Sequence, residues 1–302
     1  MSSYLAIVLP RTERLRLPLT RDQFMLLLAA ISELFTGIDV ILAHSINGQI
    51  TRNEWIPIIF GISAGVLLLL AGLVALRNRP LATIAANIVF VGSILVGLLG
   101  TYFHLQRAGL VASTVAAGRT VNALIWAPPF LGPMFFVLIG VLGISAAWIE
   151  DPVNSGRLRL LANRYVQMPY SKTRAYFLIV GMFALITTIS SVMDHSRLNF
   201  ENPWVWLPMM AGVFATVTAV ILGIIDRPTR TDLTTYTTAM LLILAVGAVG
   251  FLLHINSNLV FRDVVVVERF IRGSPLLAPL LFCNTGLLGL IVLLDPAEEG
   301  AK

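Results

Sequence analysis

Eight apolar runs, at about 24–44, 55–76, 82–104, 125–148, 175–195, 203–225, 235–255 and 275–294, limit what this chain can fold into more than any other feature. Crossing a hydrocarbon layer of about 30 Å takes about 20 helical residues, and each run has that length. Lipid offers no partner for backbone N–H and C=O groups, so a spanning segment must be a helix or belong to a closed barrel. None of the runs alternates apolar and polar residues as a barrel strand does. The sequence therefore predicts an all-α integral membrane protein with eight transmembrane helices. With 57% hydrophobic and 12% charged residues over 302 positions, and a mean hydropathy of +0.85, the chain lies far from a water-soluble domain.

Orientation follows from arginine and lysine, which accumulate on the cytoplasmic side. Arg11, Arg14, Arg16 and Arg21 precede the first run. Arg77, Arg79, Arg157, Arg159, Arg164, Lys172, Arg174, Arg227, Arg230 and Lys302 fall on the same side, 14 cations against 7 opposite. Both termini are thus expected in the cytoplasm, with the chain integral to the inner membrane. The net charge of +5 reads as a topology signal and gives no reason to expect a nucleic-acid partner. The expected divisions are a basic segment 1–22, a first four-helix repeat 23–149, a cytoplasmic linker 150–174, a second repeat 175–295 and a tail 296–302. The short apolar run Tyr4 to Leu9, followed by Pro10 and arginines, has the wrong order and length for a secretory signal and is expected to be retained. Cys283 is the single cysteine, so no internal disulfide can form.

The chain also matches itself. Ala43-His44-Ser45, running into Trp55, Pro57 and Gly61, reappears as Asp194-His195-Ser196, running into Trp206, Pro208 and Gly212. Gly97, Gly100 and His104 reappear as Gly247, Gly250 and His254, and Pro129, Pro133, Phe136, Gly140 and Gly143 as Pro275, Pro279, Phe282, Gly286 and Gly289. Because each unit holds an even number of spans, the copies enter the membrane in the same direction. Two parallel four-helix repeats related by a pseudo-twofold along the membrane normal are expected.

All four histidines of the chain fall at matched places, near the outer ends of odd-numbered spans, and so share one leaflet. Imidazole is a common ligand of transition metals, and two imidazoles on facing helices can take both axial positions of a haem iron. His44 with His104 and His195 with His254 are candidate pairs for haem b. All four converging on copper or another transition metal is the competing geometry. Gly97, Gly100, Gly247 and Gly250 lie on the faces beneath His104 and His254, where they allow either a flat cofactor or a close helix neighbour. Glu33 lies near mid-membrane, where an ionisable group is costly unless paired, protonated or wetted, and it is the candidate for handling a proton. Its matched residue is Ala184. Asp39 and Asp194 are candidate acceptors for an imidazole N–H. The paired prolines suit the first turns of their helices and offer positive helix ends to an anionic group or a quinone oxygen. Trp55, Trp126, Trp204 and Trp206 fit an interfacial aromatic belt.

Three functions suit this pattern. The first is a redox subunit holding haem b or a transition metal, exchanging electrons with a quinol or an extracytoplasmic redox protein. The second is a proton-coupled secondary transporter. The third is a non-catalytic anchor or scaffold among other membrane subunits, its histidines serving only the lipid interface. The count of four histidines is similar to that of di-haem membrane cytochromes, in which the pairs usually serve opposite leaflets; here all four fall in one.

Overall fold

The computed structural model describes residues 4–14, 17–46, 48–110, 117–160, 164–259 and 266–294. The expected tail 296–302 lies outside the described residues, as do 161–163 of the linker and Arg16, Arg262 and Lys302 of the charge bias.

The chain is a bundle of helices: α1 (Tyr4–Val8), α2 (Arg21–Ser45), α3 (Trp55–Ala75), α4 (Arg79–Arg107), α5 (Ala117–Trp126), α6 (Leu131–Ala147), α7 (Lys172–Ser196), α8 (Trp206–Ile224), α9 (Arg230–Leu259), α10 (Glu268–Arg272) and α11 (Leu280–Val292). Six of them, α2, α3, α4, α7, α8 with the 3-10 turn before it, and α9, are long and apolar enough to cross a membrane. Their starts are written locally. Thr20 accepts from the Gln23 N–H at 3.3 Å while Gln23 accepts from the Thr20 N–H at 2.9 Å, a reciprocal cap for α2. Ser171 caps α7, Asn78 caps α4, and Thr229 with Asp232 closes the start of α9.

The fourth and eighth expected spans, 125–148 and 275–294, contain shorter helices. α6 has 17 residues and α11 has 13, which at 1.5 Å per residue gives about 26 Å and about 20 Å. The cause is proline. Pro128 and Pro129 precede α6, while Pro275 and Pro279 delay α11, because a residue without an N–H cannot extend the ladder backwards.

Each half closes on itself. α2 packs on α3, α3 on α4, α4 on α6 and α6 on α2; likewise α7 packs on α8, α8 on α9, α9 on α11 and α11 on α7. The halves meet where α2 touches α11 and α6 touches α7. Phe90, Phe135, Leu142, Phe183, Met240 and Leu288 are among the buried side chains at the centre. The outward faces of α3, α4, α8 and α9 remain exposed and aliphatic, as a lipid-facing surface must be.

The linker is more ordered than its charge suggested. Ile149–Glu150, Arg157–Arg159 and Tyr165–Gln167 form a three-stranded antiparallel sheet, and Glu150 turns inward, accepting backbone N–H bonds from Gly156 at 2.7 Å and Lys172 at 2.9 Å. Beside it Arg21 and Lys172, the first residues of α2 and α7, are almost fully buried. Lys172 Nζ lies 2.6 Å from Asp22, the Tyr176 hydroxyl donates to the other Asp22 oxygen at 2.8 Å, and Arg21 donates to Thr173 at 2.7 Å. This clasp ties the two halves at the end opposite the histidines. α1 sits against it, with Leu5 N–H bonded to the Leu293 carbonyl and Tyr4 stacked on Phe177.

Candidate functional site

His44, His104 and His195 occupy the last turns of α2, α4 and α7, His254 lies one turn further in from the end of α9, and each is half-buried. A cation is favourable at a helix C-terminus, which accounts for the position of any one of the first three. It does not account for their pairing. The rings of His44 and His104 stand 6.2 Å apart, centre to centre, with planes crossed at 85°. They meet diagonally across the first bundle, since α2 and α4 are separated around its ring by α3 and α6. His195 and His254 lie close enough to interact electrostatically. Among the described residues no group of three or more His, Cys, Asp or Glu is gathered as a metal site. The expected convergence of all four histidines on one ion is therefore not what the chain builds.

Two histidines are held in the same way. His104 Nδ1 lies 3.0 Å from the carbonyl of Pro129, and His254 Nδ1 lies 2.7 Å from the carbonyl of Pro275. A carbonyl can only accept, so in each ring Nδ1 carries the hydrogen, and in the neutral imidazole the lone pair is left on Nε2. Each acceptor has capacity to spare for a reason visible in the sequence, although the Pro129 carbonyl also accepts from the Gly132 N–H at 3.2 Å. The residue four places on, whose N–H would claim that carbonyl in a helix, is Pro133 in one case and Pro279 in the other, and proline has no N–H. The duplicated Pro-x-x-x-Pro thus serves as a histidine clamp, a role that reading it as helix-start geometry missed. His44 Nδ1 is buried without a hydrogen bond of good geometry, although the Val40 carbonyl one turn back acts on it.

The four glycines beneath the histidines are closed by helix packing. A Cβ on Gly97 would meet the Pro133 carbonyl and the Val137 N–H at 2.8 Å; one on Gly247 would meet the Pro279 carbonyl and the Cys283 N–H at 2.7 Å. Gly100 and Gly250 face the rings of Pro133 and Pro279. These residues bring α6 against α4 and α11 against α9, which delivers the clamping carbonyl to its histidine.

Glu33 is fully buried, accepts from the Ser93 hydroxyl, and has its second oxygen unpartnered. The pairing repeats the geometry of the histidines one tier deeper. Glu33 and Ser93 each stand 11 residues before His44 and His104 on the same helices, about 16 Å along the axis. In the second half the corresponding positions are Ala184 and Ile243, both buried. Both members of the pair are polar in one half and both are apolar in the other. Beside it Ser32 reaches Asn284 of α11 at 3.2 Å, extending the polar seam to the second half.

Asp39 and Asp194 lie close enough to repel one another across the α2–α7 side, and Asp194 also feels His254. Asp194 is 3.9 Å from Arg197. The acceptors that hold His104 and His254 are the proline carbonyls rather than these carboxylates. Arg197 donates to the carbonyls of Ile125 at 2.8 Å and Ala127 at 3.3 Å, so α7 holds the segment leading to Pro129.

Sequence reading also passed over the charges at the histidine end of the bundle. Arg107, one turn beyond His104, faces Glu54 at 3.8 Å, and both act electrostatically on His44 and His104. In the second half Ser257 stands where Arg107 does, and Arg269 donates to its carbonyl at 2.9 Å. An open apolar groove of about 640 Å³ between α7 and α8, lined by Thr188, Val192, Trp206 and Met210 among others, has no histidine in its wall. Thr188 bonds the Ala184 carbonyl of its own helix. Comparison with protein-family models, with curated proteins and with solved structures finds no match for the chain.

Proposed function

We propose that the protein is a polytopic redox subunit of the inner membrane. Each of its histidine pairs binds a haem b or a transition metal in the outer leaflet and exchanges electrons with a quinol or an extracytoplasmic partner. In this reading α6 and α11 complete the six long helices as shorter spans, giving two parallel four-helix repeats about a pseudo-twofold along the membrane normal, with both termini cytoplasmic. The observation that carries the proposal is the duplicated clamp. Fixing Nδ1–H on a carbonyl orients an imidazole and raises its basicity as a ligand, which is how metal-bound histidines are usually supported. A histidine serving only the lipid interface needs no such support, and finding it twice argues against the scaffold reading.

The test is the absorption spectrum of the protein purified from membranes, oxidised and then reduced with dithionite, with metal analysis of the same sample. A Soret band that shifts on reduction, or stoichiometric metal, is expected, and His104→Ala should lose about half of it. A colourless, metal-free preparation overturns the proposal.

Glu33 favours a second reading, proton-coupled transport. An unpaired carboxyl inside a membrane bundle is a default candidate for a proton relay, and the seam through Ser93, Ser32 and Asn284 supplies polar neighbours. Proton-dependent uptake into vesicles that is abolished by Glu33→Gln, in a protein without colour or metal, would establish it.

A further inference from the structure

Resting on the metal-centre reading, we propose that each histidine pair takes a haem, an iron macrocycle with carboxylate arms, rather than a bare metal ion, and that Arg107 and Arg269 receive those arms.

The donor set makes the first distinction. Zinc and copper sites take three or four protein ligands. Here the first bundle offers two neighbouring imidazoles with crossed planes, and among the described residues no third His, Cys, Asp or Glu joins them as a metal-binding group. Two axial imidazoles are what an iron already held by four macrocycle nitrogens requires. Spacing agrees. With metal–nitrogen bonds of about 2.1 Å, imidazoles on opposite sides of one ion have ring centres about 6 Å apart, and the observed 6.2 Å matches without constraint on the angle between the planes.

The rim makes the second distinction. In both halves a guanidinium stands one turn outside the clamped histidine, and the two halves supply it differently. In the first, Arg107 lies three residues after His104 on the same helix, hence on the same face. In the second, that place holds Ser257, and Arg269 of α10 comes to its carbonyl from another part of the chain. Delivery of the same charge to the same place by different elements suits a ligand that is anionic at its outer edge. Guanidinium groups pair carboxylates in a forked geometry. Arg107 is free to swing, its side chain being 65% exposed and only loosely facing Glu54.

The full-length chain in lipid nanodiscs, stripped of any bound cofactor, would be titrated separately with hemin, with haem dimethyl ester, with zinc and with copper. Two hemins per chain with a six-coordinate low-spin spectrum are expected. Arg107→Met should weaken one hemin site about twofold to fivefold and leave the ester, which has no charged arms, unchanged. His104→Ala should remove one site. Arg107 being exposed, its variant keeps the test open if His104→Ala fails to fold. An equal effect of Arg107→Met on hemin and ester overturns the assignment of the arms. Zinc or copper bound at the histidines with no hemin uptake overturns the choice of haem while sparing the metal centre. Binding of none of the four overturns both.

Discussion

Replacing Glu33 and Ser93 together by the residues at their matched places in the second half, Ala and Ile, should destabilise the protein far less than the single changes taken together. Ser93 has no exposed surface, and its hydroxyl is the donor to a carboxyl that is equally buried. Ser93→Ile alone strips that carboxyl of its hydrogen bond and forces three extra carbons into a filled site, about 3 kcal/mol. Glu33→Ala alone leaves a void and strands the hydroxyl, about 2 kcal/mol. In the double variant the isoleucine fills the void and no polar group is left unpaired, so the net change should be within about 1 kcal/mol, because removing both partners of a buried hydrogen bond can be nearly neutral. The coupling between the sites should then be about 4 kcal/mol or more, above the usual range for residues in contact. Unfolding in sodium dodecyl sulfate followed by circular dichroism, on all four proteins of the cycle, measures it. A double variant as unstable as the two singles added together would refute the claim that Glu33 and Ser93 form one unit interchangeable with the apolar pair of the second half.

Lys172→Met should cost about 2–4 kcal/mol in the same assay, since it leaves Asp22 beside a buried Arg21 with only the Tyr176 hydroxyl bonded to it; adding Asp22→Asn should recover part of that loss. Gly97→Ala should cost about 1–3 kcal/mol, because its Cβ would meet backbone atoms of α6 that cannot yield. Gly72→Ala, with open space around it, should instead stabilise by about 0.5–1 kcal/mol through helix propensity. Arg197→Met should raise amide hydrogen exchange through the segment before Pro129, since it frees the carbonyls at Ile125 and Ala127.

What the sequence showed clearly was set by local patterns. Runs of apolar residues located six helices to within about five residues, as expected where length and hydropathy decide, and the duplicated histidines could be placed near the ends of α2, α4, α7 and α9 by counting. What it hid depends on contacts between distant segments. Arg21 and Lys172 read as ordinary cytoplasmic cations because the positive-inside bias is the same whether a charge meets water or, as here, Asp22 and Thr173. Glu150 sat in a charged linker and gave no sign that it would organise a small sheet. The shortness of α6 and α11 was written in their prolines. The consequence, a carbonyl lacking its i+4 donor and within reach of an imidazole twenty-odd residues upstream, needed the α4–α6 and α9–α11 contacts to be seen.

The two halves agree at the outer tier and part at the inner one, and the energetics of each tier say what that difference means. A clamp between an imidazole and a carbonyl is a modest interaction, about 1 kcal/mol net, so its weight lies in the orientation it gives the ring, in both halves alike, more than in stability. A buried carboxyl with one oxygen unpartnered is different. It costs several kcal/mol in a membrane interior if charged, and the second half reaches the same packing with alanine and isoleucine, so the fold itself has no need of it. A costly group that the architecture can do without is held for its chemistry. The histidine tier therefore supplies a capacity used twice and the Glu33 tier one used once. If the histidines carry electrons, the first centre has the buried Glu33 carboxyl beneath it while Asp194 lies beside the second, and Glu33→Gln should change the pH dependence of the first centre's midpoint potential and leave that of the second unchanged.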